Sequence, residues 1–165
     1  TVCHYKEAMK YGIKLSIQNS CDNISFSVLK FAIENGINIM EKNKYGQTVF
    51  EICKTLLPKV LQIGIEHGLN VNILDIEKLS LPTLDLAIKN GLIVTRNNLN
   101  HFKVTSELVD ILIENKINLN NIDLFHQKNP DLTKSDFEKM IAAGLDIKRK
   151  KNYKTIDYYF TWKQL

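Results

Sequence analysis

The residues able to do chemistry in this chain are four histidines, three cysteines and a few close carboxylate pairs. His4, His67, His101 and His126 are scattered, with no HExxH or HxxxH spacing and no cysteine at metal-ligand distance in sequence. They do not describe a metal site. Cys3 stands beside His4, but neighbours on a helix point in different directions and nothing orients the imidazole, so no thiol–imidazole couple is expected. Asp75 with Glu77, and Asp131 with Asp136, read as solvent-facing pairs without an apolar pocket to separate their acidities. Glycine-rich phosphate loops are absent, and no catalysis, cofactor or metal is expected.

The strongest charge feature is KRKKNYK, residues 148–154. Such a run can contact phosphate, anionic lipid or an acidic protein. A net charge of +4 nevertheless comes from twenty lysines and two arginines, and arginine is the residue that reads bases and forks onto phosphate. Tyr153 alone does not supply the aromatic interleaving of a nucleic-acid surface. A solvated loop is the expectation for 148–154.

A chain of 165 residues with 44% hydrophobic content can bury the core needed to position any site. No apolar run reaches the roughly 18 to 20 residues needed to span a bilayer. Three widely spaced cysteines, Cys3, Cys21 and Cys53, fit a reducing compartment, cytoplasmic or host cytosol, better than a disulfide framework. The chain opens without methionine in a helix-like stretch, Tyr5 to Tyr11, so a longer parent protein is expected. Lysine, isoleucine and asparagine exceed a third of the residues. Their codons are rich in A and T, a bias of origin and not a functional signal.

Self-similarity is the dominant pattern. MKYGIKLS, IENGINIM, IEHGLNVN, IKNGLIVT, IENKINLN and IAAGLDIK place Gly12, Gly36, Gly68, Gly91, Lys116 and Gly144 in one phrase, at intervals of 24, 32, 23, 25 and 28 residues. Each phrase reads as a helix stopped by a residue at positive φ, then an extended stretch whose alternate residues turn inward, with one variable residue between them. Lys116 must accept the left-handed conformation or end its helix differently. About ten residues of 3.6-period apolar pattern precede several phrases: Phe26, Leu29, Phe31, Ala32 and Ile33; Leu84, Leu86, Ala87 and Ile88; Leu108, Ile111 and Leu112; Phe137, Met140 and Ile141. Thr133 with Asp136, and Ser135 with Glu138, have capping-box spacing, and Ser80 with Pro82 marks a helix entrance. Gly64 is expected to permit close packing.

Between Gly36 and Gly68 there is room for two helices, near Thr48 to Thr55 and Lys59 to His67, broken at Leu57 and Pro58. The other intervals hold one helix and a short turn, at 75–79, 98–102 and 122–127. Within 155–165, Tyr158, Tyr159, Phe160 and Trp162 call for a covering surface, either a further repeat, an end cap or a partner.

The stretch GINIMEKNKYGQTVFEIC resembles the connector and first helix of the ankyrin repeat, with Gly36, Ile39, Gly46, Thr48 and Phe50 in the corresponding positions. GLNVN at 68–72 is similar, as is GLDIKRKKNYKTIDYY at 144–159, where Thr155, Ile156 and Asp157 stand in the turn. Val49 and Ile156 replace the family's proline, Glu51 and Asp157 its histidine, and most units fall short of 33 residues. A different helical solenoid of about 24 residues per unit is the other reading of the same rhythm.

The resemblance implies an all-α solenoid of stacked short antiparallel helix pairs over residues 1–165, with Thr48 and Thr155 capping first helices. It implies a monomeric protein–protein interaction scaffold, with a host-directed effector or adaptor of a virus, intracellular bacterium or protist as one form. Recognition would lie on connector positions that the core does not need: Lys42, Lys44 and Tyr45; Asp75 and Glu77; Arg96, Asn98 and His101; Phe125 and His126; Lys150, Lys151 and Tyr153. A recognition arm of a larger enzyme and a basic module for nucleic acid or anionic membrane are the other classes. No small-molecule substrate is expected.

Overall fold

The computed structural model describes residues 2–11, 24–99, 101–122 and 132–146. They are all-helical, with no strand and a single isolated parallel bridge, between Leu56 and Leu79. They gather into two compact units, Thr1–Leu92 and Ile93–Leu165. The first holds α1 (Val2–Lys10), α2 (Phe26–Glu34), α3 (Val49–Ile52), α4 (Pro58–Glu66) and α5 (Leu81–Lys89). The second holds α6 (Arg96–Leu99), α7 (Ser106–Glu114) and α8 (Lys134–Ala142).

Helices α2, α4, α5, α7 and α8 are each nine residues long. Each ends in the same way. The residue after the C-cap takes positive φ, from 56° at Lys116 to 97° at Gly144. Its N–H donates to the carbonyl three residues back, and the next N–H donates five residues back. At α2, Gly36 bonds Ile33 at 3.0 Å and Ile37 bonds Ala32 at 2.8 Å. Leu69 to Gly64, Leu92 to Ala87, Ile117 to Leu112 and Leu145 to Met140 repeat that second bond at 2.8 to 3.0 Å. This is the Schellman closure, which satisfies carbonyls that the last helical turn would leave orphaned. Lys116 adopts the left-handed conformation at φ 56° and makes the same bonds.

Helix starts are equally local. The hydroxyls of Ser25, Thr105 and Thr133 accept from the N–H groups of Val28, Leu108 and Asp136. The capping box forms at Thr133 and Asp136, so of the two spacings in that stretch the structure uses this one. Ser80 is the N-cap of α5 with Pro82 in its first turn.

Most positions of the apolar stripes predicted for these helices form the core, but Ile141, counted in the α8 stripe, is 42% exposed. Leu29, Leu84, Ala87, Leu108, Leu112 and Met140 are fully buried, as are Leu61 of α4 and Val109 of α7. Each fully buried leucine contributes about 1.5 to 3 kcal/mol by leaving water. After the helix stops, residues alternate as expected: Leu69 and Val71 are buried while Asn70 is exposed, and Leu92 is buried while Ile93 is 71% exposed.

The second helix expected in each pair is reduced to about one turn. α3 spans four residues, because the backbone leaves the helix extended at Cys53, bends at Lys54 and Thr55, and buries Cys53 and Leu56, the latter bridged to Leu79. A 3-10 turn, Ile76–Lys78, occupies the segment expected at 75–79, and the four-residue α6 overlaps 98–102. Pro58 opens α4 at its first position, where a missing N–H costs no helical bond.

Helices α4 and α5 run parallel, as do α7 and α8, because each of these pairs is tied at both ends. Between α4 and α5, Thr83 Oγ1 donates to the Leu56 carbonyl at 2.9 Å beside the helix starts. Beyond the helix stops, Asn72 Nδ2 donates to the Gly91 carbonyl at 3.0 Å. Between α7 and α8, Ser106 Oγ donates to Asp136 Oδ2 at 2.7 Å, and Asn120 Nδ2 donates to the Gly144 carbonyl at 3.2 Å. Asp146 N–H returns to Asn120 Oδ1 at 2.9 Å.

Gly64 fulfils its predicted packing role. A Cβ there would lie 2.8 Å from Leu69 Cδ2 and 2.9 Å from Phe50 Cε1. Gly64→Ala is therefore expected to lose about 1 to 3 kcal/mol in urea denaturation. In the same assay Lys116→Gly is expected to gain about 1 kcal/mol, since glycine removes the left-handed penalty without altering the closure.

Candidate interaction surface

The connector between α2 and α3 is built around Asn43. Its N–H donates to the Gln47 carbonyl at 2.8 Å, and its own carbonyl accepts from Gly46 N–H at 2.9 Å. Its side-chain Oδ1 accepts from the N–H groups of Tyr45 and Gln47 at 2.9 and 3.0 Å. Gly46 sits at φ 78°, where a side chain would be strained. Four bonds thus fix a tight turn whose tip displays Lys42, Lys44 and Tyr45 to solvent. Tyr45 is 73% exposed, and the Lys44 ammonium lies 5.0 Å from its ring centroid. Behind the tip, buried Thr48 is the N-cap of α3, and its N–H and hydroxyl both donate to Glu51 Oε2, at 2.7 and 2.9 Å.

Other predicted positions carry structural work. Asp75 is exposed, but its Oδ1 accepts Glu77 N–H at 3.3 Å and its carboxylate pairs with Lys78 at 3.1 Å. Glu77 is exposed. Asn98 Oδ1 accepts the N–H and the hydroxyl of Thr95, which holds the entry to α6 and occupies its carbonyl. His101 is exposed just beyond α6. The Arg96 side chain, Phe125, His126, Lys150, Lys151 and Tyr153 lie outside the described residues, as do Cys21, Asp131, the basic run at 148–154 and Thr155.

The other chemistry-bearing groups are dispersed. His4 and Cys3 are exposed on α1, and Cys53 is buried at 1% exposure. At the end of α4, the His67 backbone N–H bonds the Ile63 and Gly64 carbonyls. Among the described residues no group of three or more His, Cys, Asp or Glu could hold a metal ion. Nor is any helix among them long and apolar enough to cross a membrane.

Asp136 overturns an expectation. Read as solvent-facing, it is only 3% exposed. Its Oδ2 accepts from Thr133 N–H at 2.8 Å, Thr133 Oγ1 at 2.7 Å and Ser106 Oγ at 2.7 Å. The Thr133 hydroxyl, then its N–H, the Ser106 hydroxyl and Lys139 lower the carboxyl below its ordinary range, against the opposing effect of burial. A carboxylate held ionised by donors on two helices is a positioning group and a poor proton donor. Lys139 is raised above the ordinary lysine range, chiefly by its 2.8 Å bond to Asp110 across α7 and α8.

Sequence reasoning missed an open groove of about 640 Å³ between α2 and α4. Its apolar floor is Phe26, Ile33, Pro58, Ile63 and Leu86; its rim is Lys30, Glu34, Lys59, Gln62 and Glu66. Phe26, Ile33 and Leu86 had been assigned to the core stripes, yet Phe26 is 43% exposed and the other two are half-buried. The signal was the width of the stripe: α2 carries apolar residues at 26, 28, 29, 31, 32 and 33, more than one buried face requires.

The Asp136 geometry sets a pH dependence. With a folded pKa below the unfolded value of about 3.9, its contribution is complete above that value and disappears as pH falls through the folded pKa. In urea denaturation between pH 7 and pH 3, the stability advantage of the native protein over Asp136→Asn is expected to shrink with falling pH. A difference that stays constant would remove the role assigned to this carboxylate. In comparisons with known proteins, no family model, curated protein or solved structure matches this chain.

Proposed function

We propose that the chain is a non-catalytic protein-interaction scaffold of ankyrin-like units, in which nine-residue helices form a fixed frame and the connectors between them carry recognition. The observation that carries this reading is the Asn43 turn. Its backbone is fixed by four local hydrogen bonds, while Lys42, Lys44 and Tyr45 at its tip contribute nothing to the core. A rigid tip presenting an exposed tyrosine offers an interface anchor at small entropic cost, since the turn is already ordered. Its two lysines favour an acidic surface on the partner.

The same division of labour supports the ankyrin-like reading at the level of units. Glycine or Lys116 at the helix stop, an inward apolar residue, then an exposed asparagine recur at 36–39, 68–71 and 116–119. Asn38, Asn70 and Asn118 each accept an N–H two residues on, at 2.9 to 3.0 Å. Connectors so built tolerate change at their tips because their bases are held by backbone and asparagine bonds.

The triple substitution Lys42→Ala, Lys44→Ala, Tyr45→Ala is expected to leave the thermal midpoint unchanged and to weaken capture of a source-cell protein partner by at least about tenfold. Affinity capture at low and moderately high salt, with a parallel variant lacking the 148–154 lysines, tests the assignment. A partner retained at both salts by that parallel variant but lost by the triple variant supports it. Capture of nucleic acid or lipid only at low salt, abolished without the 148–154 lysines, would replace it with the basic-module reading.

A further inference from the structure

The groove between α2 and α4 lies apart from the connector tips, and its chemistry is separate from theirs. Its five floor residues are apolar and none is charged, while charges stand on both walls. On the α2 wall Lys30 and Glu34 pair with each other at 3.9 Å, leaving that wall neutral. The α4 wall is different. Lys59 has no ion-pair or hydrogen-bond partner among the described residues. Among the described residues Glu66 is bonded only by the neutral amide of Gln62, at 2.9 Å. It is also the last residue of α4, where the helix dipole disfavours a carboxylate. The wall therefore carries an uncompensated cation and an uncompensated anion seven residues apart, two turns or about 10.5 Å along the axis.

We propose that this groove binds an amphipathic helix of a partner protein, which lays an apolar i, i+3/i+4, i+7 face on Phe26, Ile33, Ile63 and Leu86. It sets a carboxylate against Lys59 and a cation against Glu66. Three features select that occupant. The walls are nine-residue helices, about 13.5 Å long, which matches two to three turns of a docked helix. The two unmatched charges are spaced at a helical repeat, so one helix face can meet both. A second copy of this chain is disfavoured by size, because a stable dimer needs about 800 Å² from each partner and one groove between short helices offers less.

Helix-stabilised 14-residue peptides with a common leucine face test this directly. One carries Glu and Lys seven residues apart beside that face; its counterparts carry two Glu or two Lys. Because all three share the apolar contact, differences between them report the wall charges alone. Fluorescence anisotropy at low salt is expected to give the mixed peptide about fivefold tighter binding than either counterpart, falling toward equality at high salt. Lys59→Glu is expected to move the preference to the two-lysine peptide, and Glu66→Lys to the two-glutamate peptide. Both positions are exposed, and a gained preference cannot arise from unfolding. Equal affinity for all three peptides, or no binding of the mixed one, would overturn the proposal. A dimer in sedimentation velocity that Lys59→Glu dissolves would assign the groove to a second copy and overturn it too. None of these outcomes depends on the connector reading.

Discussion

A nine-residue helix has few carbonyls inside its hydrogen-bonded interior and nearly as many outside it, so how its last turn is closed decides whether it persists. In this chain closure is delegated to one residue at positive φ, which turns two N–H groups back onto the helix. The same two bonds occur at α2, α4, α5, α7 and α8. Helices this short are marginal alone, and the closure does more than satisfy carbonyls. It points the following apolar residue inward, Leu69 after α4 or Leu145 after α8, so that the stop itself is sealed by the core.

From the stop, the chain's asparagines carry order outward. One, two residues past the stop, bends the connector by accepting an N–H two residues further on. Another, at Asn72 and Asn120, reaches the carbonyl at the next helix stop. Near the helix starts, Thr83 and Asp136 make matching ties to the preceding segment. The α4–α5 pair and the α7–α8 pair are each held at both ends by polar side chains and along their length by buried leucines. That arrangement frees exposed positions such as Tyr45 and Lys59 from structural duty.

Much of this was legible in the sequence because it rests on local chemistry. Gly36, Gly68, Gly91 and Gly144 marked the stops, and Lys116 was recognisable as the deviant member that had either to bend the same way or to end its helix differently. Ser80 and Thr133 stood where caps belong. What was illegible depended on partners distant in sequence. Asp136 looked like an exposed carboxylate until Ser106, thirty residues earlier, closed over it. The residue after each inward apolar position seemed variable, although Asn38, Asn70 and Asn118 share one bond. The groove escaped because periodicity identifies an apolar face without saying how much of it a neighbour covers; Phe26 and Leu29 read alike, yet one is 43% exposed and the other fully buried.

The central claim is that one closure, repeated, organises the described helices. Native-state hydrogen exchange of the amides of Ile37, Leu69, Leu92, Ile117 and Leu145 tests it most directly, since each donates the bond that reaches furthest back into its helix. The account predicts that within each compact unit these amides are protected as strongly as the helix interiors and open together with them. Exchange at the rate of an unstructured chain, while the helix interiors stay protected, would show that the stops fray independently and that something else holds the helices in place.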